Sequence, residues 1–209
     1  MADNRKEKKG NEQTAELSWL QHFGVGMRIL LVFILVCSVL YPLIATGIGS
    51  SLWEDNAEGS PVYYNEEKIG SHLIGQEYSS DHYFHSRPSS IHYDATQSGS
   101  QNLGPTNEAL TERANERLKR LQDQGVHNEK VPVSFVTESG SALDPHISPE
   151  SAYLQIPRIA HATGIPEDEL RELVEKHVEG KFLGVFGQRR VNVTLLNRDL
   201  QKKLEEYHE

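Results

Sequence analysis

One long apolar run dominates the hydrophobic pattern of the chain. No charged side chain occurs from Ile29 through Trp53, and the stretch from Ile29 to Ile44 is almost purely apolar. As a helix, this uncharged segment would extend about 37 Å, whereas the hydrocarbon core of a bilayer is about 30 Å thick. The pattern therefore favours a transmembrane helix, assigned to residues 28–50, over a buried core helix or a signal peptide cleaved near Ala45.

Helical periodicity recurs four times after this run. The expected helix starts carry capping side chains or proline, and the expected ends mostly carry glycine. We predict helices from Thr106 to Gly125, from Ser148 to Gly164, from Pro166 to Gly180, and from Asp199 to Glu206 after an Asn197 cap. The apolar face of the first helix comprises Leu110, Ala114, Leu118 and Leu121. Its basic residues are interpreted as the solvated side: Arg113, Arg117, Lys119 and Arg120.

Runs of β-branched and aromatic residues predict the strands. Two full strands are expected, at Val131–Thr137 and Val191–Leu196, with short extended pieces at Val62–Tyr64 and Ser71–Ile74. Helices outnumber strands and no regular βαβ repeat is present, so the expected class is α+β. The sequence thus predicts one N-terminal transmembrane helix followed by a small mixed α/β domain.

Charge sets the expected orientation of the chain. Basic residues lie before the apolar run (Arg5, Lys6, Lys8, Lys9 and Arg28), whereas the first charges after it are acidic. The positive-inside rule then predicts a cytoplasmic tail at residues 1–27, a linker at 51–60 and an extracytoplasmic domain at 61–209. That domain is strongly acidic, which excludes a nucleic-acid surface. The sole cysteine, Cys37, lies in the predicted span, so no disulfide is expected outside it.

The polar loops contain fragments of chemical sites but no complete set. Asp81, His82 and His85, together with His92 and Asp94, have feasible metal-ligand spacing without completing a tetrahedral set. Asp144 and His146, with Ser139 or Ser141, suggest a hydrolase triad that Pro145 interrupts. We therefore assign no catalytic residue and no metal ligand, and a free-standing hydrolase stays a distant alternative.

Several longer segments occur in a characteristic order. They are Tyr41–Gly49, Gly70–Gln76, Tyr83–Ser90, Ser98–Asn107, Val136–Ala152, Gln155–Ala160 and Val191–Asn197. In these segments the chain resembles the C chain of the bacterial Kdp potassium-transporting ATPase. The resemblance implies a non-catalytic, single-pass accessory subunit in the bacterial plasma membrane, without a covalently bound cofactor. The complex would use ATP and transport potassium.

The resemblance also implies partners and two alternative roles. The partners would be a catalytic ATPase subunit, a potassium-channel-like pore subunit, a small F subunit and membrane lipid. The chain would either assemble and stabilise the complex or act as a catalytic chaperone that raises the ATP affinity of the ATPase subunit. Gln155 and Arg158 are the nucleotide-binding candidates. The candidate partner contacts are Tyr41, Pro42, Gly47, Arg87, Pro88, Asn102, Gly104, Asp144 and His146.

Overall fold

The computed structural model describes residues 19–123 and 131–208, and the chain divides into two units. The first unit ends at Ala57 and the second begins at Glu58. The predicted tail up to residue 18 and the predicted helix stop at Gly125 lie outside the described residues.

The first unit is built on one apolar helix of 34 residues, from Trp19 to Leu52. It is the one helix among the described residues that is long and apolar enough to cross a membrane, judged by length and composition. At about 1.5 Å per residue it extends about 51 Å. None of its residues is buried within the unit, as expected of a helix whose apolar side chains require a lipid or protein environment.

The long helix changes its winding near the middle. It consists of α1 (Trp19–Ile34), a π-helical stretch (Leu35–Leu40) and α2 (Tyr41–Leu52), and a short helix α3 (Glu54–Ala57) follows. The π-helical stretch ends two residues before Pro42. Proline has no N–H to donate, and its ring clashes with the carbonyl four residues earlier in a regular α-helix. A local widening of the helix accommodates both effects.

The second unit is α+β, as predicted. A hairpin pairs β1 (Pro61–Tyr64) with β2 (Glu67–Ser71), and a second antiparallel sheet has the order β3 (His146–Ile147), β5 (Arg190–Asn192), β4 (Val178–Glu179). The helices are α4 (Glu108–Asp123), α5 (Val133–Val136), α6 (Pro149–Thr163), α7 (Glu167–Lys176) and α8 (Val193–His208). The predicted extended piece at Ser71–Ile74 ends at Ser71, where its hydroxyl accepts a hydrogen bond from Leu73 N.

The core of this unit lies among α6, α7 and α8. Its fully buried apolar members include Phe84, Ile156, Ile159, Ile165, Leu170, Val174, Leu196 and Leu200. Two of them belong to no helix or strand: Ile165, in the short connection from α6 to α7, and Phe84, in the chain between β2 and α4. The core therefore closes only when the loop that carries Phe84 is in place.

Local capping chemistry fixes several helix ends where the sequence predicts them. The Ser148 hydroxyl accepts a hydrogen bond from Ser151 N, and Gly164 ends α6 in the left-handed conformation at φ +78°. Asn107 rather than Thr106 caps α4, since its side chain accepts from Ala109 N at 2.9 Å. Helix α7 ends at Lys176, before the predicted Gly180, because the next residues enter the sheet as β4.

The predicted strand at Val131–Thr137 is wrong, because the segment forms the helical turn α5. It contributes no strand to either sheet. The turn buries Phe135, which is 2% exposed, and leaves Val133 74% exposed. Burial of one aromatic ring and the hydrogen bond from Thr137 Oγ1 to Val133 O thus override the β-propensity.

The predicted strand at Val191–Leu196 is also wrong beyond its second residue. Helix α8 starts at Val193, and the Asn192 side chain caps it by accepting from Leu195 N at 3.2 Å. Val193, Leu196 and Leu200 are all fully buried. This helical spacing of buried positions outweighs the β-branched residues. Asn197, the predicted cap, instead lies inside the helix.

Replacing Ile156 by alanine tests the position of the core. The side chain is fully buried in α6, so its loss should destabilise the second unit by about 2–5 kcal/mol. Urea or thermal unfolding of the detergent-solubilised full chain, followed by circular dichroism, measures the change. Tyr63→Ala, at a position 50% exposed, should cost less than about 1 kcal/mol. Equal effects of the two substitutions would contradict this core assignment.

Candidate functional site

The second unit carries a long loop, residues 72–107, that contains no helix or strand. Buried backbone N–H and C=O groups need partners, and here no sheet ladder or helix provides them. Side chains from α6, α8 and the segment after α5 do so instead. The loop holds many of the residues that the sequence singles out, so its anchoring defines the candidate site.

Asn197 fixes the backbone at the centre of the loop. Its side-chain oxygen accepts from Phe84 N at 2.8 Å, and its side-chain nitrogen donates to Phe84 O at 2.9 Å. The amide thus satisfies both polar backbone groups of Phe84, as a neighbouring strand would. The ring of Phe84 can then be fully buried in the core.

Gln155 repeats this arrangement at the next residue. Its side-chain oxygen accepts from His85 N at 2.7 Å, and its nitrogen donates to His85 O at 3.1 Å and to Ser151 O at 3.2 Å. Gln155 is 3% exposed. The predicted nucleotide-binding amide is therefore engaged within the protein, where it joins α6 to the long loop.

Arg158 lies one helical turn after Gln155 and anchors the start of the same segment. Its guanidinium donates to Asp81 O at 2.5 Å, to Tyr83 O at 2.8 Å and to the Gln155 side-chain oxygen at 3.0 Å. The Asp81 carboxylate lies 3.7 Å away. The planar, multiply donating guanidinium suits this role of joining several carbonyl oxygens.

His85 is held neutral by its surroundings. Burial and the positive charge of Arg158 lower its pKa to about 4, although the hydrogen bond between its Nε2 and Ser80 O acts in the opposite direction. Protonation would place a third cation beside Arg158 and Arg117. The neutral ring is thus part of what allows this cationic cluster to be half-buried.

Arg87 anchors the second half of the loop. It donates to Thr137 O at 3.3 Å and to Glu138 O at 2.9 Å, and it lies 3.5 Å from the Asp144 carboxylate. Asp144 also accepts from His146 N at 3.0 Å and contacts His146 Nδ1 at 3.1 Å. Burial raises the pKa of Asp144, but the His146 hydrogen bonds and the Arg87 charge outweigh it, and the net pKa is lowered.

The last part of the loop docks on the turn before β3. Gly99 N donates to Ser141 O at 2.9 Å, and Ser100 N donates to Gly140 O at 3.1 Å. Asn102 is exposed at a φ of +50° and is stabilised by the Ser100 hydroxyl. Gly104 is exposed, and a Cβ there would meet no atom within 4 Å.

Arginines of α4 face this loop, although the sequence pattern assigns them to the solvated side of the helix. Arg113, Arg117 and Arg120 lie on one helix face. All three line a cavity of about 600 Å³, and Arg117 and Arg120 also line a second cavity of about 230 Å³. Arg117 donates to Ser86 O at 3.3 Å and covers the Phe135 ring at 5.0 Å. Burial lowers the pKa of Arg117. The interpretation of Arg117 as solvated is therefore wrong, and the i, i+4, i+7 spacing was the signal that could have found this face.

The larger cavity connects three parts of the candidate site. Pro88 and Asn102, both predicted partner contacts, lie on its wall with Arg113 and Glu138. The smaller cavity includes His85, Gln155 and Arg158. The tertiary structure thus brings the predicted nucleotide residues and two of the predicted partner residues, Pro88 and Asn102, to neighbouring surfaces of the second unit.

Comparison with known proteins identifies the family. A model of the family "KdpC: K+-transporting ATPase, c chain" matches residues 23–202. The chain belongs to this family. It is accordingly a subunit of the Kdp potassium-transporting ATPase and not its catalytic subunit. Its apolar helix fits a membrane-anchored subunit.

Individual relatives carry the same name. The "Potassium-transporting ATPase KdpC subunit" of Bacillus cytotoxicus is 42% identical over 185 residues, which cover 88% of this chain and 96% of the relative. That of Bacillus cereus strain Q1 is 45% identical over 181 residues, covering 85% and 94%. That of Bacillus mycoides is 44% identical over 179 residues, covering 84% and 93%.

The remaining candidates of this KdpC family member lie apart from the loop or within local turns. Tyr41, Pro42 and Gly47 are on the apolar helix of the first unit, where Tyr41 is 69% exposed. His82 and His85 both bond to Ser80, while Asp94 bonds to Thr96 and Gln97. In residues 19–123 and 131–208 no group of three or more His, Cys, Asp or Glu is arranged to hold a metal ion.

The low pKa of His85 predicts an acid-sensitive loop. A folded-state pKa of about 4, against 6.5 ordinarily, means that folding favours the neutral ring. The stability that the fold retains by keeping the His85 ring neutral is fully present above about pH 6.5. It is lost as the pH falls towards 4, because the unfolded chain then binds a proton that the folded chain does not. His85→Gln should therefore lose less thermal stability between pH 6.5 and 4 than the unmodified chain.

Thermal unfolding of the detergent-solubilised chain across this pH range measures the effect. His82→Gln is the matched control, because His82 is exposed in the same loop. Its loss of thermal stability between pH 6.5 and 4 should equal that of the unmodified chain. If His85→Gln also follows it, the ring is not held neutral by the fold.

Proposed function

We propose that the chain is a non-catalytic accessory subunit that assembles and stabilises an ATP-driven, high-affinity potassium uptake complex. Its second unit docks on the channel-like pore subunit through the long loop, while its apolar helix packs among the helices of the pump. The observation that carries this proposal is the anchoring of the long loop by Asn197, Gln155, Arg158 and Arg87.

An anchored loop is suited to binding because its ordering cost is met during folding. A flexible segment of comparable length would lose backbone entropy on association. Here the exposed residues Asn102 and Gly104 are presented on a fixed backbone, beside the wall that carries Pro88. The long loop of the second unit can therefore act as a pre-formed docking surface.

Charge supports an extracytoplasmic position for the second unit. The five basic residues before the apolar run, with acidic residues directly after it, favour a cytoplasmic N-terminus. Residues 58–209 would then lie on the outer side, away from cytoplasmic ATP. This placement favours an assembly role at the potassium entrance over direct nucleotide contact.

A second candidate function is regulation of the ATP affinity of the catalytic subunit. The observation in its favour is the cavity of about 230 Å³, which has Arg117, Arg120 and Arg158 in its wall. Arginines of this kind suit a polyphosphate. Against it, the Gln155 amide is nearly inaccessible, and Arg158 already donates to backbone carbonyls. The assembly role therefore has the stronger support.

Cysteine labelling in spheroplasts separates the two candidates by topology. With Cys37→Ser as background, Glu112→Cys places one thiol on an exposed position of α4. We expect a membrane-impermeant maleimide to label it in sealed spheroplasts. Lys8→Cys, the control before the apolar run, should be labelled only after lysis. Labelling of Glu112→Cys only after lysis would contradict the proposed orientation and favour the ATP-affinity role.

Adding bulk at Gly104 tests docking through the loop. Gly104 is exposed and a Cβ added there would meet no atom within 4 Å, so we expect Gly104→Trp to leave the fold of the unit intact. It should reduce co-purification of the chain with the pore subunit at least tenfold and slow growth at limiting potassium. Glu172→Trp, at an exposed position of α7, is the control and should retain both. Normal assembly and growth of Gly104→Trp would refute docking through this surface.

A further inference from the structure

Four large apolar side chains protrude from the connection between β4 and β5. We call residues 181–188 the apolar hairpin. Its exposed side chains are Phe182 at 72%, Leu183 at 76%, Val185 at 72% and Phe186 at 65%. Single exposed apolar residues are common, but four of them within five consecutive residues form a patch of the kind that marks a binding surface.

The backbone of the apolar hairpin is ordered, so this exposure belongs to its folded form. Phe182 and Phe186 exchange both backbone hydrogen bonds, at 2.8 and 3.0 Å. Between them the chain reverses through Leu183 at φ +52° and Gly184 at φ +76°. The left-handed conformation is unfavourable for leucine. The tight turn nevertheless places Leu183 at the tip, with its side chain in solvent.

Basic residues flank the apolar tip in an otherwise acidic unit. Lys181 precedes it and Arg189 and Arg190 follow it, and residues 180–190 contain no Asp or Glu. Glu175 lies 3.8 Å from Arg189, and Glu179 lies 2.8 Å from Arg190. Both arginines are more than half exposed, and each guanidinium retains donors that these contacts do not use.

A polar cavity of about 300 Å³ lies at the base of the apolar hairpin. Its wall includes Arg87, His146 and Ser148, together with Gln188, Arg189 and Arg190 from the end of the connection between β4 and β5. Asp144 also contributes, but it already contacts Arg87 and His146. Three guanidinium groups around one cavity favour a phosphate ligand.

We propose that the apolar hairpin inserts its tip into the interfacial layer of an anionic phospholipid bilayer, with a lipid phosphate held in the cavity at its base. Phenylalanine and leucine side chains with adjacent Lys and Arg are the combination that binds bilayer interfaces. Basic residues attract anionic headgroups, while the apolar tip gains from leaving water. A protein pocket would cover the apolar tip, but it would give no role to the three guanidinium groups around the cavity at its base.

The covalent chain makes this insertion easier. Only the residues from Trp53 to Ser60 separate the apolar helix from β1. The apolar helix keeps the second unit at a high effective concentration near the bilayer, so even a weak lipid contact would be populated. The proposal requires membrane anchoring by the apolar helix, but it does not depend on the docking of the long loop.

An environment-sensitive label at the tip tests the insertion. Full-length Cys37→Ser chain carrying Phe186→Cys is labelled with NBD maleimide and reconstituted in nanodiscs of phosphatidylcholine and phosphatidylglycerol. We expect a blue-shifted emission and quenching by brominated acyl chains several-fold stronger than at Val133→Cys. Val133 is the matched control, an apolar residue that is 74% exposed elsewhere in the unit. Leu183→Cys provides a second tip position should Phe186→Cys fold poorly.

Charge substitution and added partner subunits separate the alternatives. Arg189→Gln combined with Arg190→Gln, or nanodiscs of phosphatidylcholine alone, should each reduce the acyl-chain quenching at least threefold. A water-like emission at both tip positions in anionic nanodiscs would overturn the proposal. So would a tip label that is shielded only when the other pump subunits are present and is not quenched by brominated lipids. That last result would identify a protein contact and leave the docking of the long loop untouched.

Discussion

The second unit depends on satisfying the backbone of a loop that has no strand beside it. Phe84 must enter the core, and its peptide groups cannot be buried without partners. The side-chain amides of Asn197 and Gln155 replace the missing strand, and Asn192 adds a third contact by donating to His72 O at 2.9 Å. Each amide lies in or directly beside α6 or α8, so the position of the loop depends on the same helices that build the core.

This arrangement explains why residues with the chemistry of a binding site are structural in the observed fold. Arg158 and Gln155 could bind a nucleotide by residue type, yet their donors and acceptors are engaged with Asp81, Tyr83 and His85. The same engagement draws basic groups together and keeps the His85 ring neutral. The hydrogen bonds that hold the loop thus account for an arginine-rich cavity in an acidic unit, and they do so without a bound ligand.

The molecule also combines two kinds of apolar exposure. The apolar helix has no buried residue, and Arg28 is the one Asp, Glu, Lys or Arg among its 34 residues, so its apolar side chains are exposed outside a membrane. The apolar hairpin is exposed although it belongs to a unit with a closed core. Its backbone hydrogen bonds hold the apolar tip in solvent where burial against the core would otherwise be favoured. The apolar helix and the apolar hairpin therefore both indicate a lipid or protein environment that the isolated chain does not supply.

The sequence by itself determined the apolar helix, the α+β class and the helix ends at Ser148, Gly164 and Pro166, because these follow from local properties. An uncharged run of sufficient length, or a serine followed by proline, has the same effect in many contexts. The family resemblance carried the function further than any motif did. Only the tertiary structure decided the secondary structure of Val131–Thr137 and Val191–Leu196 and the roles of Asn197 and Arg117. In the two segments, the β-propensity contributes less to stability than the burial of Phe135 and Leu196 does. Asn197 and Arg117 take their roles because the buried backbone groups of a loop distant in sequence need hydrogen-bond partners.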